Sequence, residues 1–186
     1  MFHVPGLTDH GIRTYQVSGT VDIFPTLAEL AMGVTLDKCP KDSSAITTCT
    51  EGVSLVNLIH NPSEPVRKAS YSVYSRGFPK AEEKENSIQG KHLKESQCLT
   101  GEGRQPGCVM GYTMLTSSLD GGHELRYTEW AKYPGPPKFS PDWSKNYGIE
   151  LYNHTSDPGE NVNVYLRYKG SDIIQQLQNL LHAQYE

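Results

Sequence analysis

No stretch of the sequence approaches the roughly 20 consecutive apolar residues that a membrane-spanning helix requires. A surplus of one charge is also missing: 17 basic and 21 acidic residues leave a net charge of −4, so nothing points to nucleic acid or an anionic membrane as a partner. The first residues lack the charged, apolar and small-residue order of a signal peptide. Met1–Gly6 has instead the character of a strand end entering a turn, so we expect the chain to be the C-terminal part of something longer.

Cysteine is scarce, and no Cys-x-x-Cys redox or zinc half-site occurs. The cysteines are Cys39, Cys49, Cys98 and Cys108. Three pairings are possible. The intervals 39–49 and 98–108 are rich in turn-forming and polar residues, which favours two small disulfide loops and an oxidising compartment; the alternative is four reduced cysteines in the cytosol. The glycosylation sequon Asn153-His154-Thr155 agrees with secretion. The seven histidines lack the i, i+4 spacing of a helical zinc site, so we assign no metal ligand.

The most strongly apolar stretch is Val21–Leu30, which continues to Gly33. Its apolar positions recur at helical spacing and predict a short buried helix. We expect Thr20 to cap this helix, Asp22 to place a carboxylate near the positive end of its dipole, Pro25 to lie in its first turn and Gly33 to end it.

Four further segments have the composition of strands, and their spacing suggests an antiparallel arrangement. They are residues 69–75, 109–116, 124–130 and 150–152. The mixed charges of residues 76–108 predict a solvated loop, and residues 53–60 have the pattern of a short helix. Apolar residues between Ile173 and Leu181 predict a terminal docking helix behind a Ser171 cap; the alternative is a mobile tail that is only partly helical.

The stretch Val21-Asp22-Ile23-Phe24-Pro25-Thr26-Leu27 resembles a late helix of the sulfatase family. Six other segments, in the same order, resemble the iduronate 2-sulfatase family, and the likeness covers residues 2–165. These segments are Val4–Gly6, Cys39-Pro40 with Cys49, Tyr71–Arg76, Met110–Thr113, Arg126–Trp130, and Glu150–Tyr152 with Asp157-Pro158. The resemblance implies an α/β fold of the sulfatase and alkaline-phosphatase type. Residues 1–66 would end its catalytic α/β domain, and residues 67–186 would form a C-terminal subdomain with an antiparallel sheet and a terminal helix.

The resemblance implies a lysosomal hydrolase that removes 2-O-sulfate from iduronate in heparan and dermatan sulfate during glycosaminoglycan degradation. This family uses a formylglycine, made in a Cys/Ser-x-Pro-x-Arg motif, and a calcium ion held by acidic side chains. We expect this chain to lack that motif and the metal site, since Cys39-Pro40-Lys41-Asp42-Ser43 has its proline one place too early and no arginine at the required place. An upstream catalytic domain would supply both. The family's disulfide in this region matches Cys39 and Cys49, whereas Cys98 and Cys108 have no counterpart.

For substrate binding, the resemblance places Arg76 near the active-site pocket. A guanidinium suits a uronate carboxylate or a sulfate because its fork binds two oxygens at once; the alternative is a structural arginine that holds a loop carboxylate. Lys91 and Lys94 are candidates for reaching the sugar, against the alternative of ordinary solvated lysines. Leu115 stands where the family tends to have arginine, and we expect Trp130 to be a core residue rather than a sugar platform.

Three functions stay open at this point. The chain is the incomplete C-terminal region of an iduronate 2-sulfatase-like hydrolase, a secreted non-catalytic domain that binds sulfated glycans, or a structural fragment that only completes its parent fold. The second predicts salt-dependent binding of sulfated glycan by this chain alone. The third predicts that the 21–33 helix exposes its core-facing side.

Overall fold

The computed structural model describes residues 3–44, 46–76, 108–135 and 140–185. The chain divides into two units, residues 1–70 with 116–118 and residues 71–115 with 119–186. The assignment of residues 1–66 and 67–186 to two sulfatase domains stays a prediction. None of the helices in the described ranges is long and apolar enough to cross a membrane.

The first unit is built around helix α1, Ile23–Met32, which follows one 3₁₀ turn at Thr20–Asp22. Pro25 lies in the first turn as predicted, and Gly33 ends the helix with a φ of 65°, which glycine adopts without strain. The cap prediction was wrong. Thr20 belongs to the 3₁₀ turn, and the Asp22 carboxylate instead accepts a hydrogen bond from the Gly19 backbone N–H at 2.7 Å.

The prediction that α1 is buried holds on one side only. Pro25, Thr26 and Ala28 are buried against the rest of the unit. The other apolar side chains of the helix are largely exposed; they include Ile23, Phe24, Leu27 and Met32.

The remainder of the first unit follows the sequence pattern. Helix α2, Val56–His60, forms where a short helix was predicted and contributes Leu58 to the core. The backbones of Lys38 and Thr50 form an isolated bridge next to the Cys39–Cys49 disulfide. Val4–Leu7 forms a turn, in which the Leu7 N–H donates to the Val4 carbonyl, and no strand precedes this turn within the described residues.

The second unit contains a small antiparallel sheet of four strands in the order β1-β2-β3-β4. The strands are β1 Ala69–Arg76, β2 Cys108–Thr116, β3 Leu125–Tyr133 and β4 Asp142–Asn153. All four were predicted, but β4 begins eight residues earlier than expected. Its first half is polar because it lies at a sheet edge, and a polar edge strand lacks the apolar alternation that sequence patterns detect.

The second unit also contains a 3₁₀ turn at Asp120–Gly122 and two helices, α3, Tyr165–Tyr168, and α4, Asp172–Tyr185. Helix α4 is the predicted docking helix, with Ile174, Leu177 and Leu181 buried, so the alternative of a mobile tail is wrong. It contacts one face of the sheet, where the Tyr185 and Tyr112 rings meet edge to face at 4.9 Å. The arrangement is compatible with a sulfatase C-terminal subdomain.

Candidate functional site

A cleft of about 320 Å³ lies beside Trp130 in the sheet unit. Side chains alternate along a strand, and Glu129 contacts His182 of α4, so the neighbouring Trp130 points to the opposite face of the sheet. The lining residues come from all four strands and from the segment after β4. They are Arg76, Val109, Trp130, Tyr147, Gly148, Ile149, Glu150 and Asn163.

The Trp130 indole is held in place by its neighbours on both adjacent strands. A Cβ at Gly111 of β2 would lie 2.8 Å from the ring, so the ring can cover this position only because residue 111 is glycine. Gly148 is the register partner of Trp130 on β4. The indole Nε1–H donates to Glu150 Oε1 at 3.0 Å. Trp130 is only half-buried, so the prediction that it is a core residue was wrong.

Arg76, the predicted substrate ligand, lies directly over this indole. Its guanidinium carbon is 4.1 Å from the Trp130 ring centroid, and the residue is exposed. Stacking on an aromatic face leaves the N–H groups at the guanidinium edge free to bind oxygens. No ion pair of Arg76 with another described residue is present. The arginine therefore offers a planar donor fork at the cleft.

The other polar groups of the cleft are already engaged. Asn163 accepts a hydrogen bond from the Leu151 N–H and donates one to the Ile149 carbonyl, each at 3.1 Å, so it holds β4. Glu150 is bound to the indole of Trp130. Among its described residues, the cleft thus offers one cation to an anionic ligand, and one carboxylate that restricts how that ligand is oriented. Lys91 and Lys94 lie outside the described residues, so their predicted roles stay predictions.

The expectation that the chain lacks a Cys/Ser-x-Pro-x-Arg motif was wrong. Ser63-Glu64-Pro65-Val66-Arg67 does match the Ser-x-Pro-x-Arg pattern. Ser63 is exposed in the turn after α2, where its carbonyl accepts a hydrogen bond from Gln16. The Arg67 guanidinium lies 2.5 Å from a carboxylate oxygen of the buried Asp22. A structural ion pair therefore accounts for this arginine, and we derive no catalytic step from Ser63.

The metal site of the family has no match in the part of the chain that the structure describes. No group of three or more His, Cys, Asp or Glu side chains converges there to hold a metal ion. The described acidic side chains are therefore too far apart to hold a calcium ion together.

A buried carboxylate that the sequence did not reveal lies on the α4 face of the sheet. Glu129 is 2% exposed and accepts hydrogen bonds from the Tyr127 hydroxyl at 2.9 Å and the Asn146 amide at 3.0 Å. His182 Nε2 lies 3.1 Å from the same carboxylate, and its ring stacks on Trp143. Burial, helped by the charge of Glu129, raises the pKa of Tyr127 well above its usual range. The cluster joins α4 to the sheet.

The predicted covalent features are partly visible. Cys39 and Cys49 form a disulfide with a Cα–Cα distance of 4.9 Å. Cys108 is buried and disulfide-bonded, but Cys98 lies outside the described residues, so the 98–108 pairing stays a prediction. Asn153 ends β4 and is half-buried, and its side-chain oxygen accepts a hydrogen bond from the Thr155 N–H at 3.0 Å.

Comparison with known proteins agrees with the resemblance. No family model matches the chain. It is 27% identical over 180 residues to an iduronate 2-sulfatase of Homo sapiens, which covers 92% of this chain and 29% of that protein. It is 30% identical over 171 residues to an iduronate 2-sulfatase of Mus musculus, which covers 84% of this chain and 26% of that protein. The chain thus spans less than a third of either relative, and its likeness to iduronate 2-sulfatases is confirmed.

Proposed function

We propose that this iduronate 2-sulfatase-like chain is the C-terminal region of a sulfuric ester hydrolase that removes 2-O-sulfate from iduronate in heparan and dermatan sulfate. The observation that supports this most is the match to two iduronate 2-sulfatases along 84–92% of the chain. A lysosomal or secreted location belongs to the proposal. The Cys39–Cys49 disulfide supports it, because disulfides persist in oxidising compartments.

In this proposal the chain is inactive alone. The formylglycine nucleophile and the calcium ion belong to an upstream catalytic domain, its main partner, where a cation would neutralise the sulfate oxygens during ester cleavage. The contribution of this chain is to bind and orient the substrate. The stacked Arg76 would bind a uronate carboxylate or a sulfate of the substrate, with its fork oriented by the Trp130 face.

The mass of the native gene product tests the proposal. An antibody raised against this chain should detect a protein well above 20.7 kDa that copurifies with sulfatase activity toward 2-O-sulfated iduronate. A native protein near 20.7 kDa after glycan removal, with no such activity, would overturn the proposal.

The role of Arg76 is tested in that native enzyme by Arg76→Met. We expect KM to rise about tenfold or more with a smaller change in kcat, because a charge-assisted hydrogen bond to substrate contributes about 1.5–3 kcal/mol. Arg13→Met is the matched control, since Arg13 also lies over an aromatic ring, that of Tyr15, but outside the cleft. An Arg76 variant with the KM of the control would remove Arg76 from the substrate site.

A further inference from the structure

A β-bulge in strand β4 directs Tyr147 toward the cleft beside Trp130. On β3, Trp130 and Ala131 are consecutive, but their partners on β4 are Gly148 and Asn146, so Tyr147 is the extra residue of β4 at this point. In a regular strand Tyr147 and Gly148 would point to opposite faces of the sheet, whereas here both line the cleft. Tyr147 is 54% exposed, so a ligand in the cleft can reach its ring.

Hydrogen bonds to the buried side of the sheet hold the bulge in this shape. The Asn146 side-chain oxygen accepts from the Gly148 N–H at 2.9 Å, which closes the backbone around Tyr147. The amide nitrogen of the same side chain donates to Glu129 Oε2 at 3.0 Å, and Glu129 is 2% exposed. A buried carboxylate therefore fixes the orientation of the Asn146 amide. Because bulges often redirect a side chain next to a functional site, this fixed geometry indicates a role for Tyr147 in the cleft.

Three chemically different groups line the space that a ligand would occupy in the cleft. The Arg76 guanidinium, whose carbon lies 4.1 Å from the Trp130 ring centroid, offers N–H donors to an anion. Glu150 binds the Trp130 indole through Oε1, and no described residue donates to its Oε2, which can accept a hydrogen bond from a hydroxyl. The Tyr147 ring adds an aromatic face, whose negative potential attracts the C–H groups of a sugar ring. Together these groups suit a ligand that carries an acid, a hydroxyl and a C–H face.

From this arrangement we propose that the cleft binds one acidic pyranose unit of the glycan, with Tyr147 as the platform for the sugar ring and Arg76 as the partner of its carboxylate or sulfate. The cleft volume of about 320 Å³ is near the lower limit of small-ligand pockets, which suits a single sugar unit. Glu150 accepts a hydroxyl of the same unit and repels its acidic group, which keeps that group beside Arg76. This inference rests on the proposed function for the identity of the glycan and adds Tyr147 as a specificity-determining residue.

The test is a saturation-transfer NMR titration of the full 186-residue chain with three sugars. Methyl β-D-glucuronide and methyl β-D-glucoside 6-sulfate distinguish a carboxylate from a sulfate on the same ring, and methyl β-D-glucoside is the neutral reference. The variants are Tyr147→Ala, Tyr147→Phe, which keeps the ring, and Tyr74→Ala. Tyr74 is the matched control because it is 60% exposed on β1 and lies outside the described lining of the cleft. Far-UV circular dichroism checks that each variant keeps the fold.

We expect at least one acidic sugar to bind the unchanged chain, Tyr147→Phe and Tyr74→Ala with the same Kd, and Tyr147→Ala to bind it about fivefold more weakly. The neutral glucoside should bind about tenfold more weakly than that acidic sugar, because it lacks the group that Arg76 holds. Equal Kd values for Tyr147→Ala and Tyr74→Ala would overturn the proposal, as would no binding of either acidic sugar or equal binding of the neutral one.

The titration needs no catalysis, so its result is separable from the proposed function. Sugar binding that depends on Tyr147, in a protein whose native form is near 20.7 kDa and has no sulfatase activity, would reject the proposed function alone. A native sulfatase whose 186-residue chain shows no effect of Tyr147→Ala would reject this inference alone.

Discussion

At the residue scale, the Asp22 carboxylate connects three separate segments of the first unit. It is fully buried and accepts hydrogen bonds from Gly19, Val53 and Arg67. We expect Asp22→Asn to lower the free energy of unfolding by about 3 kcal/mol, because it leaves the Arg67 charge without its partner in a mostly buried place. Urea denaturation followed by far-UV circular dichroism measures this. Asp9→Asn, at an exposed carboxylate that accepts from the Gly6 N–H, should change stability by less than about 1 kcal/mol.

Sequence reasoning identified Asp22 but not its role. Its place near a helix start predicted an interaction with the helix dipole, whereas its main partners lie 31 and 45 residues further along the chain. Contacts between residues so far apart in the chain depend on the tertiary fold and produce no periodic pattern in the sequence. The same limit explains the Ser63–Arg67 match, since a five-residue pattern does not reveal that its arginine is bound to Asp22.

Gly111 determines the geometry of the cleft. Gly111→Ala would place a Cβ 2.8 Å from the Trp130 ring, so the indole must shift and the stacked Arg76 with it. We expect a loss of about 1–3 kcal/mol in stability and a changed near-UV circular dichroism spectrum. Gly148→Ala is the matched control on the other neighbouring strand, where the Cβ would be at an ordinary contact distance of 3.7 Å. Identical spectra for the two variants would contradict this account of the cleft.

At the scale of elements, helix α4 is held by aromatic contacts that include Tyr185. Burial raises the pKa of Tyr185 to about 12. Because this folded-state pKa is above the unfolded value near 10, the stabilisation from Tyr185 is complete below pH 10 and is lost as the pH rises toward 12. The difference between the phenolate absorbance of the unchanged chain and that of Tyr185→Phe should therefore titrate near pH 12. A midpoint near 10 would show that the Tyr185 ring is not buried against Tyr71 and Tyr112 of the sheet.

The elements themselves were largely predictable, and their exposure was not. Apolar spacing and strand-forming residues identified α1, α4, the first three strands and the end of β4. The two helices and the central strands β2 and β3 each bury several side chains, so their signal in the sequence is strong. The polar start of β4 left no such signal. The sequence pattern also did not show which apolar side of α1 is exposed, since apolar residues have the same helical spacing whether or not a partner surface covers them. Arg76 was found through resemblance, whereas its position over Trp130 required the folded sheet, in which β2 separates the strands of these two residues.

For the molecule as a whole, charge decides between a recognition region and an independent glycan-binding domain. The net charge is −4, and in the described cleft the single arginine lies near Glu150. A sulfated glycan is a polyanion that requires several clustered cations for binding at physiological ionic strength, where charges further apart than about 8 Å are largely screened. We therefore expect the chain alone to elute from immobilised heparin below 0.15 M salt, about the physiological ionic strength.

Arg76→Met should leave that elution unchanged, because one exposed arginine contributes little to nonspecific attraction by a polyanion. The opposite result is equally specific. Retention of the unchanged chain above about twice physiological salt, lost in Arg76→Met, would mean that the cleft binds sulfated glycan without a catalytic domain. The hypothesis of a non-catalytic glycan-binding domain would then replace that of a hydrolase region. A region that only completes an active site is not expected to bind the substrate tightly by itself, because the catalytic domain supplies the other contacts.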